Sequence, residues 1–340
     1  MKLFHNKLKV ENLKEINKIL LDGEIGFGNN VNIFENMFQK LSKKEYNVAV
    51  NSASAAAFII FAYLKEKYGE CDVYTSSLSF TSPAWAAKHF NHKIVWVDVD
   101  DNLLFDSKDY LAKRKTNSKK AILMPVLYGG ISNINDWKVK GDEFILVDSA
   151  HCVTPKLKCD ASIFSFHPYK PICSSDGGMI STDNKELKDY SISYRNFGRR
   201  LIDETYTIDH EGFKFYMNNL NATIAIESFK NYQKNLTTRI ENYKKMRKEL
   251  HDYCILDHDE HSSFYFATAI IPEKICKKII NNIKLSKHYP MLHKMKYYEK
   301  YHLELKKLEF LHPKILNIPL YDNLAMMEVI DEIKKNQRCA

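Results

Sequence analysis

The chain has 340 residues, 45% hydrophobic and 27% charged, with 50 Lys and Arg against 42 Asp and Glu for a net charge of +8. That length exceeds one small core and points to a large domain with a smaller one. No run reaches the roughly 18 apolar residues of a membrane span, and MKLFHNKLKVENLKEI has no apolar h-region of secretory type, so a cytoplasmic chain without a membrane partner is expected.

The seven cysteines are odd in number and show no CxxC spacing, which favours reduced thiols. Cys152, Cys159 and Cys173 lie near His151 and His167, but their spacings fit no zinc pattern and no metal is expected. Residues 229–340 hold 21 Lys and Arg against 14 Asp and Glu. Without basic and aromatic interleaving or a known module, that excess reads as solvated surface rather than a nucleic-acid face.

LKEINKILLDG and NIFENMFQKL carry apolar residues at helical spacing on either side of the loop EIGFGNN. YNVAVN reads as a short strand running into SASAAAFIIFAYLKEKYG, a buried helix that begins at Ser52 or Ala53. DVYTSS, KIVWVDV, KAILMPVLY, EFILVDS, ASIFSFH and GGMIST are further strand-like runs. Between them lie the helical patterns TSPAWAAKHF, DYLAKRK and the short NINDWK. Such alternation predicts an α/β domain with a mostly parallel sheet, helices on both faces and ligands at the strands' carboxyl ends.

RRLIDETYTIDHEGFKFYM has no clean period and is expected to be a long loop. LNATIAIESFKNYQKNLTTRIENYKKMRKELHDY is one long helical pattern, kinked, bridging to a second domain. That domain has the strand-like FYFATAII, a helix from EKICKKIINNI, the loop SKHYPMLH and a last helix NLAMMEVIDEIKK after NIPLY. The expected division is residues 1–228 and 229–340.

Several residues could carry chemistry. Ser52-Ala53-Ser54 at a helix start offers backbone N–H groups, the positive helix end and two hydroxyls to a phosphate, or else plain capping. Phe80 could lie flat on a heterocycle or pack in a core between strand and helix. Asp148 closes the apolar run EFILV, where burial demands a cationic partner unless it caps a helix or sits in a surface turn. His151 could bond a ring oxygen, stack on the ring, or be structural. Ser165 and Lys170 follow the β run of FSFHPYK, where Pro168 bars continuation of the strand. A lysine and an aspartate ending neighbouring strands could hold the two ends of one pyridine ring, as pyridoxal phosphate chemistry needs.

In this order the stretches VAVNSASAAA, SSLSFTSPAWA, MPVLYGG, LVDSAH, FSFHPYK, DGGMISTD, YRNFGRR and GFKFYMNNLNATIA resemble those of the DegT-type nucleotide-sugar aminotransferases. These are fold-type I pyridoxal phosphate enzymes. The resemblance implies a large domain with a mostly parallel seven-stranded sheet between helices and a smaller α+β C-terminal domain. It makes Lys170 the Schiff-base lysine, Asp148 the partner of the pyridine nitrogen, Phe80 the stacking aromatic and His151 the residue near the ring oxygen. Ala53, Ser54 and Ser165 would bind the phosphate of pyridoxal 5'-phosphate. Lys214 would reach that phosphate in the neighbouring subunit, so a homodimer with shared active sites is implied. The family usually has Gly-Thr where this chain has Ala53-Ser54, an asparagine where it has Pro171, and a glutamate where it has Asp176.

The activity so implied is transfer of an amino group from an amino acid, L-glutamate in most of the family, to a keto-sugar on a nucleotide. Some relatives are sugar dehydratases in which histidine replaces the lysine. A third possibility is a non-catalytic sensor or binding protein on the same fold. Lysine at position 170 favours transamination.

Overall fold

Seven short runs rich in Val, Ile and Phe pair into one sheet: β1 (Tyr46–Val50), β2 (Asp72–Ser76), β3 (Lys93–Val97), β4 (Ala121–Met124), β5 (Phe144–Asp148), β6 (Ala161–Ser165) and β7 (Gly178–Thr182). The computed structural model describes residues 2–4, 13–115, 120–131, 140–153, 158–203, 205–283, 285, 287–298, 303–321 and 324–338. Strand order is β1-β7-β6-β5-β4-β2-β3. β2 to β6 run parallel, while β7 is antiparallel to both β1 and β6. The expected mostly parallel sheet of seven strands is therefore present. The short helix expected over residues 133–138 lies outside the described residues.

Both sheet faces are covered, which is why the strands read as continuous apolar runs rather than alternating ones. On one face lies α3 (Ala53–Tyr68), whose Ile59, Ile60 and Leu64 pack with Val73, Leu146, Ile163 and Ile180. On the other, Phe34 and Phe38 of α2 (Asn29–Ser42) meet Phe164, Phe166 and Met179. α1 (Leu13–Asp22), α4 (Ser82–His89), α5 (Ser107–Lys113) and α6 (Lys185–Tyr194) complete this part.

β7 starts directly under the first turn of α3. A Cβ on Gly178 would come within 2.4 Å of the Ser52 carbonyl carbon and 2.5 Å of the Ala53 nitrogen. Backbone cannot yield as a flexible side chain does. Gly178→Ala is expected to cost about 1–3 kcal/mol, read as a lower urea midpoint with an unchanged slope. An unchanged midpoint would mean that the helix start can move.

One segment departs from expectation. The stretch read as an aperiodic loop contains a hairpin, β8 (Arg199–Ile202) and β9 (Thr205–Ile208), turning next to Asp203 at φ 54°. Leu201, Ile202, Tyr206 and Ile208 are all exposed. With no buried face to impose alternation, the period that marks a strand is missing.

The 31-residue α7 (Asn219–Glu249) links two cores. Its Ala222, Ala225 and Ile226 pack beneath the large sheet. Its Tyr243 and Met246 pack with α8 (Glu273–Ile283), α10 (Met326–Arg338) and a three-stranded antiparallel sheet. That sheet has the order β10 (Cys254–Ile255), β11 (Phe266–Ile270), β12 (Ile315–Pro319), and α9 (Lys306–Leu311) precedes β12. Among the described residues no helix is long and apolar enough to cross a membrane, and no cluster of His, Cys, Asp and Glu could hold a metal ion.

Candidate active site

The carboxyl ends of β5 and β6, the first turn of α3 and the connection between β6 and β7 surround a cavity of about 280 Å³. Seven of the residues singled out in the sequence line it: Ser52, Ala53, Ser54, Phe80, Asp148, Ser165 and Lys170. His151 and Lys214 do not.

Because β7 is antiparallel to β6, the connection between them returns at the same end of the sheet and carries Lys170 over the cavity. Its backbone is fixed by Phe166 N–H to Gly177 O, Lys170 N–H to His167 O and Ser174 N–H to Phe166 O, each 2.8 Å. The Cys173 N–H donates to Ser228 Oγ of α7 at 2.9 Å. Pro171 lies buried among these bonds, so its missing donor leaves the loop well fixed.

The Lys170 side chain is 8% exposed, and its Nζ stands 4.9 Å from the centre of the Tyr265 ring. Burial lowers its pKa from 10.5 to about 7, opposed by the charge of Asp148. Asp148 is pushed up by the same burial, against the Ala150 N–H that donates to its Oδ1 at 3.0 Å and the charge of Lys170. Asp148 thus makes a local turn and faces the cavity at once.

Phe80 is 54% exposed on the cavity wall, its ring centre 6.0 Å from that of Tyr289, and so does not belong to the core. Ser52 is the N-cap of α3: its Oγ accepts the Ala55 N–H at 3.1 Å. The Ser54 side chain is exposed beside it, and Ser165 Oγ accepts the His167 N–H at 3.4 Å. His151 is buried behind the wall, its Nε2 2.7 Å from Tyr289 Oη and its Nδ1 accepting the Gly129 N–H at 3.4 Å. Burial, with the charges of Lys170 and His288, holds its pKa well below the usual range. Lys214 is exposed, with its Nζ 5.6 Å from the Tyr216 ring centre and its carbonyl accepting from Asn51 Nδ2 at 3.3 Å.

The sequence left much of the wall unread. Tyr265 is covered by Phe4, stacked at 4.6 Å and 11°, and Tyr169 also stacks on Phe4 at 6.2 Å and 20°. Leu3 anchors this start of the chain in the core. His288 and Tyr289 come from the SKHYPMLH segment, whose one signal was an aromatic pair before a proline. That segment is stitched to β12 and to the connections that follow β2 and β4. The His288 N–H donates to Asn317 Oδ1 of β12 at 2.8 Å, the Tyr128 hydroxyl donates to the His288 carbonyl, and the Leu292 N–H donates to Ser77 O at 3.0 Å.

Pyridoxal phosphate fits this donor set: a helix start with adjacent hydroxyls for the phosphate, a carboxyl group for the ring nitrogen and a weakly basic amine. His288 Nε2 in the wall is buried without a hydrogen-bond partner among the described residues, a polar atom that a ligand would satisfy.

Comparison with known proteins agrees. A model of the DegT/DnrJ/EryC1/StrS aminotransferase family matches residues 6–335. The chain is 26% identical to the spore coat polysaccharide biosynthesis protein SpsC of Bacillus subtilis, over 95% of this chain and 93% of that protein. It is 24% identical to a UDP-4-amino-4,6-dideoxy-N-acetyl-beta-L-altrosamine transaminase of Campylobacter jejuni, over 97% of this chain and 98% of that one. Its fold is shared with Helicobacter pylori PseC, an aminotransferase involved in the biosynthesis of pseudoaminic acid, with a TM-score of 0.90, 19% identity and 99% of each chain covered. The family model spans nearly the whole sequence, and the chain therefore belongs to the DegT/DnrJ/EryC1/StrS aminotransferases, which depend on pyridoxal 5'-phosphate.

Proposed function

We propose that this aminotransferase moves an amino group from L-glutamate to a keto-sugar carried on a nucleotide, with Lys170 as the residue that bonds the cofactor. The observation that carries this reading is a buried lysine with a pKa of about 7 sharing one cavity with Asp148. The sugar nucleotide is supported by the relatives, one named for polysaccharide biosynthesis and one for a UDP-linked amino sugar.

Pyridoxal phosphate, when bound, supplies an electron sink for the bond broken at the substrate carbon. Lys170, whose pKa burial lowers to about 7, would hold the aldehyde carbon and then carry the proton between the substrate carbon and C4′. Asp148 keeps the ring nitrogen protonated, its position fixed by the Ala150 N–H. Phe80 would face the ring, and the Ala53 and Ser54 amides with the Ser54 and Ser165 hydroxyls would hold the phosphate, while Ser52 braces the helix start. Lys214 serves the partner subunit's phosphate in a homodimer with shared sites. Its exposure outside its own chain's cavity and the exposed apolar hairpin β8–β9 support that arrangement. We take the boundary between the two domains to lie near residue 228, within α7, the helix that packs with both cores.

Protein loaded with cofactor, reduced with borohydride and mapped by peptide mass should carry the label on Lys170. Label elsewhere, or none, rejects the assignment. Glutamate should bleach the visible band of the bound cofactor, and a labelled enzyme that glutamate leaves unchanged has another donor. A panel of nucleotide keto-sugars, read by amine formation, then identifies the acceptor.

A further inference from the structure

We infer that Tyr289 donates a hydrogen bond to the phenolic oxygen of the bound cofactor, with His151 behind it as the positioning residue that fixes where the tyrosine's proton points. The inference rests on the reading of this cavity as the pyridoxal phosphate site. It starts from hydrogen-bond arithmetic at His151.

A neutral imidazole has one N–H and one bare nitrogen. His151 is buried with Lys170 and His288 nearby, and stays neutral. Its Nδ1 receives the Gly129 backbone N–H, which can only donate, so Nδ1 is the bare nitrogen. The proton therefore sits on Nε2 and is donated to Tyr289 Oη, 2.7 Å away. A hydroxyl that accepts from His151 keeps its own hydrogen for another acceptor. No other hydrogen bond to that hydroxyl is formed among the described residues, and Tyr289 lines the cavity whereas His151 does not. Burial, together with Tyr265, Asp148 and Tyr128 nearby, raises the phenol far above its ordinary value, so it remains a donor throughout the working range.

The acceptor follows by elimination. Asp148 takes the ring nitrogen, the start of α3 takes the phosphate and Lys170 takes the aldehyde carbon, which leaves the ring hydroxyl oxygen. The SKHYPMLH segment holds Tyr289 in place: its carbonyl accepts from His312 Nε2 at 2.8 Å, and its ring stacks on His151 at 5.3 Å and 20°. His288, which also lines the cavity, has its Nε2 buried without a hydrogen-bond partner among the described residues, but a neutral histidine nitrogen donates in only one of its two tautomers.

Two measurements test this. In protein without cofactor, nitrogen NMR of His151 at neutral pH should show a neutral ring protonated on Nε2; a proton on Nδ1, or on both nitrogens, would overturn the inference. In cofactor-loaded Tyr289→Phe, the pH midpoint of the visible band should rise by about one unit, the size expected for one hydrogen bond to a charged oxygen. The rise has this sign because losing the donor leaves more negative charge beside the Lys170 nitrogen. kcat should fall about 10–100-fold while KM for the amino donor holds. A midpoint that does not move in Tyr289→Phe, or that moves in His288→Gln instead, rejects the role of Tyr289 while borohydride label on Lys170 leaves the cofactor site standing. Absence of that label in the unaltered protein would reject the site itself.

Discussion

Lys170→Ala is expected to lower turnover by about 10⁴-fold, the upper end of what a positioned proton-transfer group contributes, while the chain still folds. The fold survives because the loop is held by backbone bonds from Phe166, Cys173 and Ser174 that do not use the lysine side chain. Stability should respond to pH in a set direction. The folded pKa is about 7 and the ordinary value 10.5, so between these pH values the unfolded chain binds more protons. Stability of the cofactor-free protein therefore rises with pH across that window, and the cost of burying the charged lysine is fully present below it. Removing the amine removes that slope. Cofactor-free Lys170→Ala should be the more stable protein at pH 7, with the two urea midpoints converging as pH approaches 10.5. Residual turnover above about a tenth of the original would contradict the assigned role.

Asp148→Asn is expected to lower kcat by about 10²–10³-fold, with a smaller loss of cofactor affinity. Asparagine keeps an oxygen for the Ala150 N–H, so the turn at the end of β5 should hold. What it lacks is the negative charge that, in the proposed reading, would keep the ring nitrogen protonated. The same charge raises the pKa of Lys170 against the larger effect of burial, so its loss should move the amine below about 7. The rate at which the cofactor-free protein takes up pyridoxal phosphate, measured against pH, reports this midpoint. A shift to higher pH would mean that Asp148 does not act on the lysine.

The sheet was legible because both of its faces are buried, so each strand is a compact apolar run such as FILVD or GMIST. The hairpin β8–β9 was not, since Leu201 and Ile202 are adjacent, point to opposite faces and are both exposed. Asp148 and the start of α3 were legible because each ends or begins an element whose limits the sequence marks, and Lys170 because it lies in the connection that Pro168 marks off beyond β6. Phe4, Tyr169, Tyr265 and Tyr289 were not. Aromatic residues scattered over the whole chain look alike as core or wall until the fold brings them together. The plain capping role considered for Ser52 holds, as its hydroxyl is engaged with Ala55. His151 shows the limit most clearly: the sequence placed it near the ring, but not that Tyr289 intervenes between it and the cavity.

The stitched segment carrying His288 and Tyr289, with Tyr265 beside it, gives the C-terminal third a part in the chemistry without any bond to the reacting carbon. In the proposed reading, apart from Lys214 reaching across a dimer, the groups that would hold the cofactor's nitrogen, phosphate and aldehyde come from residues 52–170. Yet the weak basicity of Lys170 comes from burial, and Tyr265 supplies part of that cover. A chain ending after α7 would keep the lysine and the aspartate but open the amine to water, returning it toward ordinary basicity and leaving it protonated at neutral pH. Nucleophilicity at Lys170 is thus a property of closure by the whole chain, and a lesion far from the lysine in sequence can silence it.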